Sequence, residues 1–461
     1  MLRKATKLED IAGSFDPMAL ETAEEMREFY VDTMEARTGD PYDSPIDNIE
    51  DYCKQPRSKN AMLLLGHRGC GKSTELNRMK LRLEAEGRQV IMILCDEQLS
   101  LQNKPLFSDL LILMGEALYQ KALELDVPVS GKTLERIKNF WTPVVQVRET
   151  VREEETSADA KAKLGIEGFV ASLFVKLKSD VKNNDKVRQT SETHIESHYA
   201  DWRMILESLS IAITDKIGKQ PVVIFEGLDH LENLKEAREL FFDHAGKLTD
   251  VSFPVIYTFP IALYYDERFP SMQDSLRGYE TLPMLKLETP EGEPYPQGSE
   301  ELRNIVERRA EVGEDNVIAP DALDLMIAKT GGSLRDLFEA IRMAGKRALK
   351  RETVTRTPQR IVREDAEAAL KKMQSHLTRR IEGDEHKFLA KICVEDKKKI
   401  EDTAKLLKAL QARVALEYNG TRWHNVHPLV ADYLAELGYI KRKDDGKGWE
   451  AGERLQSGGT A

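Results

Sequence analysis

A glycine-rich run follows directly on an apolar segment early in the chain. Residues 66–74 read GHRGCGKST and come immediately after AMLLL at 61–65. Glycines allow backbone N–H groups to converge on phosphate oxygens, and the helix that follows points its positive end at the same anion. The complete spacing G-x-x-x-x-G-K-[ST] assigns the lysine to the β- and γ-phosphates and the hydroxyl to Mg²⁺. The run therefore predicts a site for ATP with Mg²⁺.

Every residue of this run is a candidate ligand for the nucleotide. Lys72 is in addition a predicted catalytic residue, and Ser73 is a predicted metal ligand. The predicted nucleotide contacts are Gly66, His67, Arg68, Gly69, Cys70, Gly71, Lys72, Ser73 and Thr74.

Two carboxylates follow a later apolar run. Residues 221–231 read PVVIFEGLDHL, in which Glu226 ends the apolar stretch and Asp229 comes three residues later. A carboxylate at the carboxyl end of a parallel strand faces the ligand crevice, where a P-loop protein holds Mg²⁺. We predict that Glu226 is a metal ligand and that Glu226 and Asp229 are catalytic.

The elements that position these groups alternate between short apolar runs and helices. Apolar runs at 61–65, 88–96, 221–231, 253–263 and 280–287 predict five strands of a doubly wound parallel sheet. The fold class is therefore α/β of the P-loop type. The fourth run contains Thr258, whose hydroxyl is predicted to contact the γ-phosphate or the attacking water.

Four motifs together resemble those of the AAA+ and STAND ATPases, in particular the initiator-like (origin-recognition) branch. They are GHRGCGKST, VVIFEGLDHL, VIYTF at 255–259 and TGGSLRDLFEAIRMA at 330–344. The second is similar to the DGLD variant of STAND and NACHT proteins, the third to a sensor-1 strand and the fourth to a sensor-2 helix. The resemblance covers about residues 40–345 and implies that Arg335 contacts the γ-phosphate from a helical lid.

The resemblance also implies an arginine supplied by a neighbouring subunit, and hence a homo-oligomer formed on ATP binding. Arg277 fits that slot best and Arg268 second, with a solvent-facing arginine as the alternative. Arg308 and Arg309 are assigned to a helix surface. Many hydrolysing AAA+ proteins carry Asp-Glu where this chain has Glu226-Gly227, so we expect slow turnover.

The remaining organisation is predicted as a series of segments. Residues 36–50 are expected near the adenine or, alternatively, in a docking segment, and residues 151–163 are expected to be flexible. Residues 166–177 are expected to form an amphipathic helix that packs inside the protein or, alternatively, docks a partner, and residues 186–217 to form one long helix. The predicted domains are an N-terminal segment at 1–58, the P-loop core at 59–290 with a helical insertion at about 100–218, a lid at 291–375, a winged-helix-like domain at 376–445 and a disordered tail at 446–461.

Composition limits the function classes. The chain has 461 residues, a formal net charge of −11 and four cysteines without a CxxC pair. We expect a cytoplasmic protein with no membrane segment. One segment is basic: residues 342–363 hold eight Lys/Arg and a single acidic residue, Glu352. This segment predicts either contact with DNA phosphates or a solvated helix face.

Three functions remain open from the sequence. The first is a STAND-like ATP switch that assembles and signals to an effector protein, with a role in bacterial defence implied by the resemblance. The second is an initiator-like or transposition-regulator-like DNA-binding ATPase that uses residues 342–363 and the C-terminal domain. The third is a nucleotide-binding scaffold without hydrolysis. The acidic net charge and Glu226-Gly227 favour the first, whereas the basic segment favours the second.

Overall fold

The computed structural model describes most of the chain. The described residues are 2–55, 59–99, 104–152, 165–355, 360–379, 381–395, 397–418, 422–444 and 446–456, without the side chains of 148–152 and 352–355. Most of the stretch predicted to be flexible at 151–163, the hairpin turn Asn419-Gly420 and the basic residue Arg356 lie outside the described residues.

A five-stranded parallel sheet lies at the centre of the fold, with strand order β2-β3-β4-β1-β5. Helices cover both faces, which explains why the strands read as continuous apolar runs rather than alternating ones. The predicted α/β class is confirmed. The strands are β1 Ala61–Gly66, β2 Val90–Leu94, β3 Val222–Glu226, β4 Val255–Pro260 and β5 Gly278–Thr281.

Strand β5 begins earlier and ends earlier than predicted. It pairs with β1 over residues 278–281, and the apolar residues Leu282, Met284 and Leu285 are buried beyond its end. The run at 280–287 is apolar because it passes through the core below the lid, not because all of it is strand. Burial and strand pairing therefore diverge here.

The helices before the insertion and within it surround the sheet. They are α1 Ile11–Ser14, α2 Ala23–Phe29, α3 Met34–Thr38, α4 Pro45–Lys54, α5 Lys72–Ala85, α6 Cys95–Gln98, α7 Phe107–Glu124, α8 Gly131–Arg152, α9 Gly165–Asn183, α10 Asp185–Ser197 and α11 Tyr199–Ile217.

Helices of the second half complete the sheet domain, where the first three of them lie between β3 and β5, and then build the lid and the C-terminal region. They are α12 Leu234–Arg238, α13 Ala245–Thr249, α14 Phe269–Gln273, α15 Pro296–Arg309, α16 Pro320–Lys329, α17 Leu334–Thr355, α18 Arg363–Thr378, α19 Glu385–Val394, α20 Thr403–Gln411, α21 Pro428–Glu436 and α22 Glu453–Gln456. No helix of the described ranges is both long and apolar enough to cross a membrane.

The insertion packs around its own aromatic core. Trp141 and Trp202 are fully buried with ring centroids 5.1 Å apart. The apolar stripe of α9, which includes Leu173 and Phe174, is buried in the same core. The helix at 166–177 therefore packs inside the protein, as predicted. The single long helix predicted at 186–217 is wrong, because His198 leaves helical geometry and separates α10 from α11.

Among the described residues, the C-terminal region consists of four helices, α19 to α22, and two antiparallel hairpins. The first hairpin joins β6 Ala415–Tyr418 to β7 Trp423–Val426, and the second joins β8 Ile440–Arg442 to β9 Trp449–Ala451. The disordered tail predicted at 446–461 is therefore wrong for β9 and α22. The Arg442 guanidinium lies 3.9 Å from the centroid of the Trp449 ring, and this contact stabilises the second hairpin.

The first hairpin packs against the sheet domain instead of projecting as a free wing. Leu416 and Trp423 share a buried cluster with Leu64 of β1 and Leu76 of α5. The Tyr418 hydroxyl donates to the Gly331 carbonyl at the start of the lid turn, at 2.8 Å. The hairpin thus joins the sheet to the lid.

Candidate nucleotide-binding site

The loop between β1 and α5 requires its glycines. Gly66, Gly69 and Gly71 have φ values of 151°, 89° and 107°, which side chains of L-residues rarely adopt. A Cβ atom on Gly69 would lie 2.5 Å from the Cβ of Arg335, so the loop and the lid approach each other at van der Waals distance. Helix α5 begins directly after the loop, at Lys72, with its N-terminus directed at the same space.

Lys72 is the buried cation of this loop. Its Nζ donates to the carbonyl oxygens of Gly66 and His67, both at 2.9 Å, and forms an ion pair with Asp229 Oδ2, also at 2.9 Å. Burial acts to lower the pKa of Lys72, but the nearby acidic groups, with Asp229 first among them, together outweigh it, so the net shift of this pKa is upward. The lysine is therefore charged where phosphate oxygens would lie.

Glu226 and Asp229 lie where the sequence predicts, at the carboxyl edge of the sheet. Burial raises the pKa of Glu226, and a hydrogen bond with the Ser73 side chain opposes that rise. For Asp229 burial acts upward too, but Lys72, His230 and Thr258 together outweigh it and lower the pKa. Two neighbouring carboxylates are thus held in different environments, as a metal ligand and an electrostatic partner require.

The contact between Ser73 and Glu226 fits a magnesium ion. Mg²⁺ is typically bound by one or two protein oxygens together with substrate phosphates and water, not by an all-protein cage. Within the described ranges there is no cluster of three or more His, Cys, Asp or Glu that could hold a metal alone. The donor set therefore suits Mg²⁺ delivered with a nucleotide.

Thr258 lies between these groups because β4 is inserted between β1 and β3. Its hydroxyl accepts from the backbone N–H of Leu228 at 3.0 Å and donates to the Phe225 carbonyl at 3.3 Å. The same hydroxyl contributes to the lowered pKa of Asp229. The side chain is fully buried, so it fixes the turn that presents Asp229. The predicted contact of Thr258 with phosphate or water stays a prediction.

A further pair of side chains at this edge is absent from the sequence prediction. His230 Nδ1 lies 2.6 Å from Asp96 Oδ2, and His230 Nε2 lies 3.7 Å from Asp229 Oδ2. Asp96 lies two residues after the end of β2, and Glu226 is the last residue of the neighbouring strand β3. The rule that located Glu226, a carboxylate at the carboxyl end of a parallel strand, therefore also locates Asp96.

The lid brings Arg335 to the loop. Gly331 and Gly332 have φ values of 61° and 79°, and a Cβ on Gly332 would lie 1.8 Å from the Leu285 carbonyl oxygen. The turn therefore needs glycine to bring α17 this close to the sheet domain. The backbone N–H of Arg335 donates to the Gly69 carbonyl at 3.3 Å.

The charge of Arg335 is poorly neutralised by the protein. Burial lowers its pKa, and the nearby cations Arg68 and Arg413 lower it further. Its buried Nε has no hydrogen-bond partner among the described residues. Among the described residues Arg335 forms no ion pair, and a phosphate group at the loop would supply the missing negative charge.

A single cavity extends from this loop to an apolar end. The apolar end is bordered by residues 17–20 and 29–31, by Ile305 and Arg309 of α15 and by Phe338 of α17. Of the residues at 36–50 that the sequence places near the adenine, only Arg37 borders the cavity. The predicted contact with adenine is therefore wrong for the other residues of 36–50. Within that segment, α4 directs Ile46 and Ile49 into the core.

Arg37 supports the loop from behind. Its Nη2 donates to the Cys70 carbonyl at 2.7 Å and its Nε to the Thr33 hydroxyl at 2.8 Å. A third bond goes to the Pro283 carbonyl. The buried guanidinium therefore links the N-terminal segment, the loop and the chain after β5.

The two arginines predicted to act on a neighbouring subunit lie away from their own loop. Arg277 precedes β5 at the opposite, amino-terminal edge of the sheet, where its Nη1 donates to the Gln55 carbonyl at 2.7 Å and its guanidinium lies over the Tyr52 ring. Arg268 pairs with Asp243. A role in trans for either residue stays a prediction.

The basic segment is partly neutralised by its own chain. Asp365 pairs with Arg347 at 3.5 Å and with Arg351 at 2.9 Å. Arg342 lies 3.5 Å from Glu339, and Arg363 lies 3.1 Å from Glu367. Much of the charge that the sequence shows at 342–363 is therefore used within the lid.

Comparison with known proteins gave no match to a family model and no match to a curated protein. Solved structures with some similarity include the Orc1 protein of Aeropyrum pernix in complex with DNA, at 15% identity and a TM-score of 0.34, covering 89% of each chain. They also include Cdc6p from Pyrobaculum aerophilum, at 12% identity and a TM-score of 0.36, covering 97% of this chain and 95% of that one.

Drosophila ORC bound to DNA is similar at 13% identity and a TM-score of 0.31, over 95% of this chain and 90% of that one. Similarity at these scores does not carry an assignment of function.

Proposed function

We propose that the protein is a Mg²⁺-dependent ATPase that acts as a slow, nucleotide-driven switch. The observation that supports this most is the convergence of Lys72, Ser73, Glu226 and Arg335 on one glycine loop from three parts of the chain. Such a set can bind the phosphates, hold Mg²⁺ between Ser73 and Glu226, and place a lid cation at the γ-phosphate.

The contacts of the loop with the C-terminal region support a switch. The backbone N–H of Glu417 in β6 donates to His67 Nε2 at 2.8 Å, and Arg413 pairs with Asp336, next to Arg335, at 3.2 Å. A movement of the loop or lid on ATP binding would therefore displace the first hairpin. Self-association on ATP, an effector protein that reads the assembled state and a role in defence remain part of this proposal, drawn from the resemblance.

Turnover measurements test the proposal. We expect slow, Mg²⁺-dependent release of phosphate from ATP, and Glu226→Gln should lower it because the amide keeps the shape but loses the charge. Glu232→Gln, at an exposed carboxylate near the loop, is the matched control. Full activity in Glu226→Gln would exclude Glu226 from the metal site. If the wild type does not hydrolyse ATP at all, the remaining function is that of a nucleotide-binding scaffold without hydrolysis.

DNA binding is the second candidate function, and one surface favours it. The second hairpin exposes Lys441, Arg442 and Lys443, with Lys447 close in sequence. Lys441 pairs with the Glu450 carboxylate and Lys447 with Glu293, and Arg442 lies over the Trp449 ring, but all four side chains are exposed. Together with the exposed Lys346 of α17, they would be available to phosphates.

A gel-shift titration against salt, with and without ATP, tests this candidate. DNA binding should weaken linearly in log salt, by about 0.9 per phosphate neutralised. Reversal of charge at Arg442 and Lys443 should flatten that slope, whereas reversal at Arg347, which already pairs with Asp365, should change it less. If the protein does not bind DNA even at low salt, the nucleotide-driven switch remains as the proposed function.

A further inference from the structure

An arginine lies buried at the apolar end of the cavity. Arg309 ends α15 and is 4% exposed, although the sequence assigns it to a helix surface. Its Nη1 donates to the Ser14 carbonyl at 3.0 Å, and its guanidinium lies 4.7 Å from the centroid of the Phe338 ring. Its Nε has no hydrogen-bond partner among the described residues.

Such an environment is costly for an arginine. Burial lowers the pKa of Arg309 to about 10, and Glu25 only partly offsets this effect. A buried donor without an acceptor destabilises the folded state. A ligand atom that accepts a hydrogen bond would remove this cost, so the arrangement indicates recognition as well as packing.

The position of Arg309 relative to the phosphate loop fits the base of a nucleotide. Arg309 borders the same cavity as Gly71, Lys72 and Thr74. It packs on Phe338, which follows Arg335 by about one turn of α17, a rise of about 4.5 Å. Helix α17 thus presents Arg335 to the phosphate end of the cavity and Phe338 to the other end, where Arg309 lies beside the Phe338 ring.

The chemistry of a guanidinium decides which bases it can recognise. Arginine offers only donors. Both purines present the N7 acceptor; guanine adds the O6 acceptor beside it, whereas adenine has an amino donor there. Cytosine presents an amino donor on the equivalent edge and has no N7. On this edge a donor-only group therefore favours the purines over cytosine and does not select adenine over guanine.

We propose that Arg309, stacked on Phe338, recognises the purine base, so that the site binds GTP at least as well as ATP and discriminates against CTP. This inference rests on the proposed function, because it requires that the cavity binds a nucleoside triphosphate. It extends that function from ATP to purine nucleotides as a class.

Competition binding with Mg²⁺ and four ligands, ATP, GTP, CTP and inorganic tripolyphosphate, tests the inference. In the wild type we expect the affinity for GTP to be higher than that for ATP or at most about threefold lower. CTP should bind about tenfold more weakly than ATP, because one donor–acceptor contact is lost. Arg309→Met should reduce the preference for GTP over CTP by about fivefold or more. Its affinity for tripolyphosphate, which has no base, should stay within about twofold of wild type.

The matched control is Arg308→Met, because Arg308 is the exposed neighbour that donates to the Glu28 carbonyl and lies outside the cavity. Its nucleotide preferences should be those of the wild type. Arg309→Lys keeps a positive charge but loses the fork of donors, so it should also lose discrimination. If both Arg309 variants unfold, the wild-type ratios still decide the question.

Two results would overturn the inference. One is GTP binding to the wild type more than about tenfold weaker than ATP, which would show selection of adenine. The other is an equal loss of tripolyphosphate and nucleotide affinity in a folded Arg309→Met protein, which would show that Arg309 acts only as a structural brace between Ser14 and α17. If no ligand binds the wild type at all, the proposed function fails first.

Discussion

The two ends of the nucleotide cavity are built in different ways. The phosphate end comes from nine consecutive residues, 66–74, whose glycines and lysine determine the geometry locally. The base end is assembled from the N-terminal segment, the end of α15 and the first turns of α17. The comparison shows that a short motif can specify anion binding alone, whereas recognition of the base depends on tertiary packing.

The largest effect is expected at the phosphate end. Lys72→Ala removes the cation that lies among the loop carbonyls and Asp229 and leaves that carboxylate buried without its partner. Affinity for ATP, GTP and tripolyphosphate should each fall at least tenfold, about 1.4 kcal/mol, by calorimetry. Lys80→Ala, on the same helix, is the control. A loss confined to nucleotides, with tripolyphosphate unchanged, would contradict the division of the cavity into two ends.

The second prediction concerns the contact of the phosphate loop with the first hairpin. His67 must be neutral to accept from the Glu417 backbone, and burial lowers its pKa to about 3. In the unfolded chain a histidine has a pKa of about 6.5. Below that pH the unfolded chain takes up a proton that the folded protein cannot, so the free energy of unfolding decreases as pH falls below about 6.5.

Chemical denaturation at two pH values measures this effect. Between pH 7 and pH 5, His67 should contribute about 2 kcal/mol to the decrease in the free energy of unfolding. His67→Asn should lose that contribution, whereas His376→Asn, at an exposed histidine, should keep it. An unchanged pH dependence in His67→Asn would show that the loop does not rely on the hairpin.

A smaller effect is expected at Arg335, where the lid meets the loop. Arg335→Met should weaken ATP binding by about fivefold, about 1 kcal/mol, because one charged donor to the γ-phosphate is lost. ADP affinity should change by less than about twofold. Arg342→Met, farther along α17, serves as control. An equal loss for ATP and ADP would place Arg335 at the inner phosphates and remove the basis for an ATP-dependent lid.

The sequence predicted the sheet, the phosphate loop and the positions of Glu226, Asp229 and Arg335 near it. These features follow from local patterns: apolar runs, a fixed glycine spacing and strand ends that meet at one edge. The break at His198 and the ordered residues after Gly448 were not predicted, because both depend on contacts between segments that local composition does not show.

The burial of Arg309 had a signal in the sequence that the sequence analysis did not use. Leu302, Ile305, Val306 and Arg309 are spaced i, i+3, i+4, i+7, so the arginine continues the apolar stripe of α15, whereas Arg308 falls on the other face. The periodicity shows that Arg309 faces inward. It does not show what it faces, because Phe338 and the N-terminal segment come from other parts of the chain.

The central claim is that one cavity holds the phosphates at residues 66–74 and the base beside Arg309 and Phe338. Photolabelling with an ATP analogue that carries its azide on the base, followed by peptide mapping, tests it most directly. The account predicts Mg²⁺-dependent labelling of peptides from 17–31, 305–309 or 338, prevented by excess ATP and absent in Lys72→Ala. Labelling restricted to residues 38–50, which belong to the segment 36–50 that the sequence offered as adenine contacts, would contradict it.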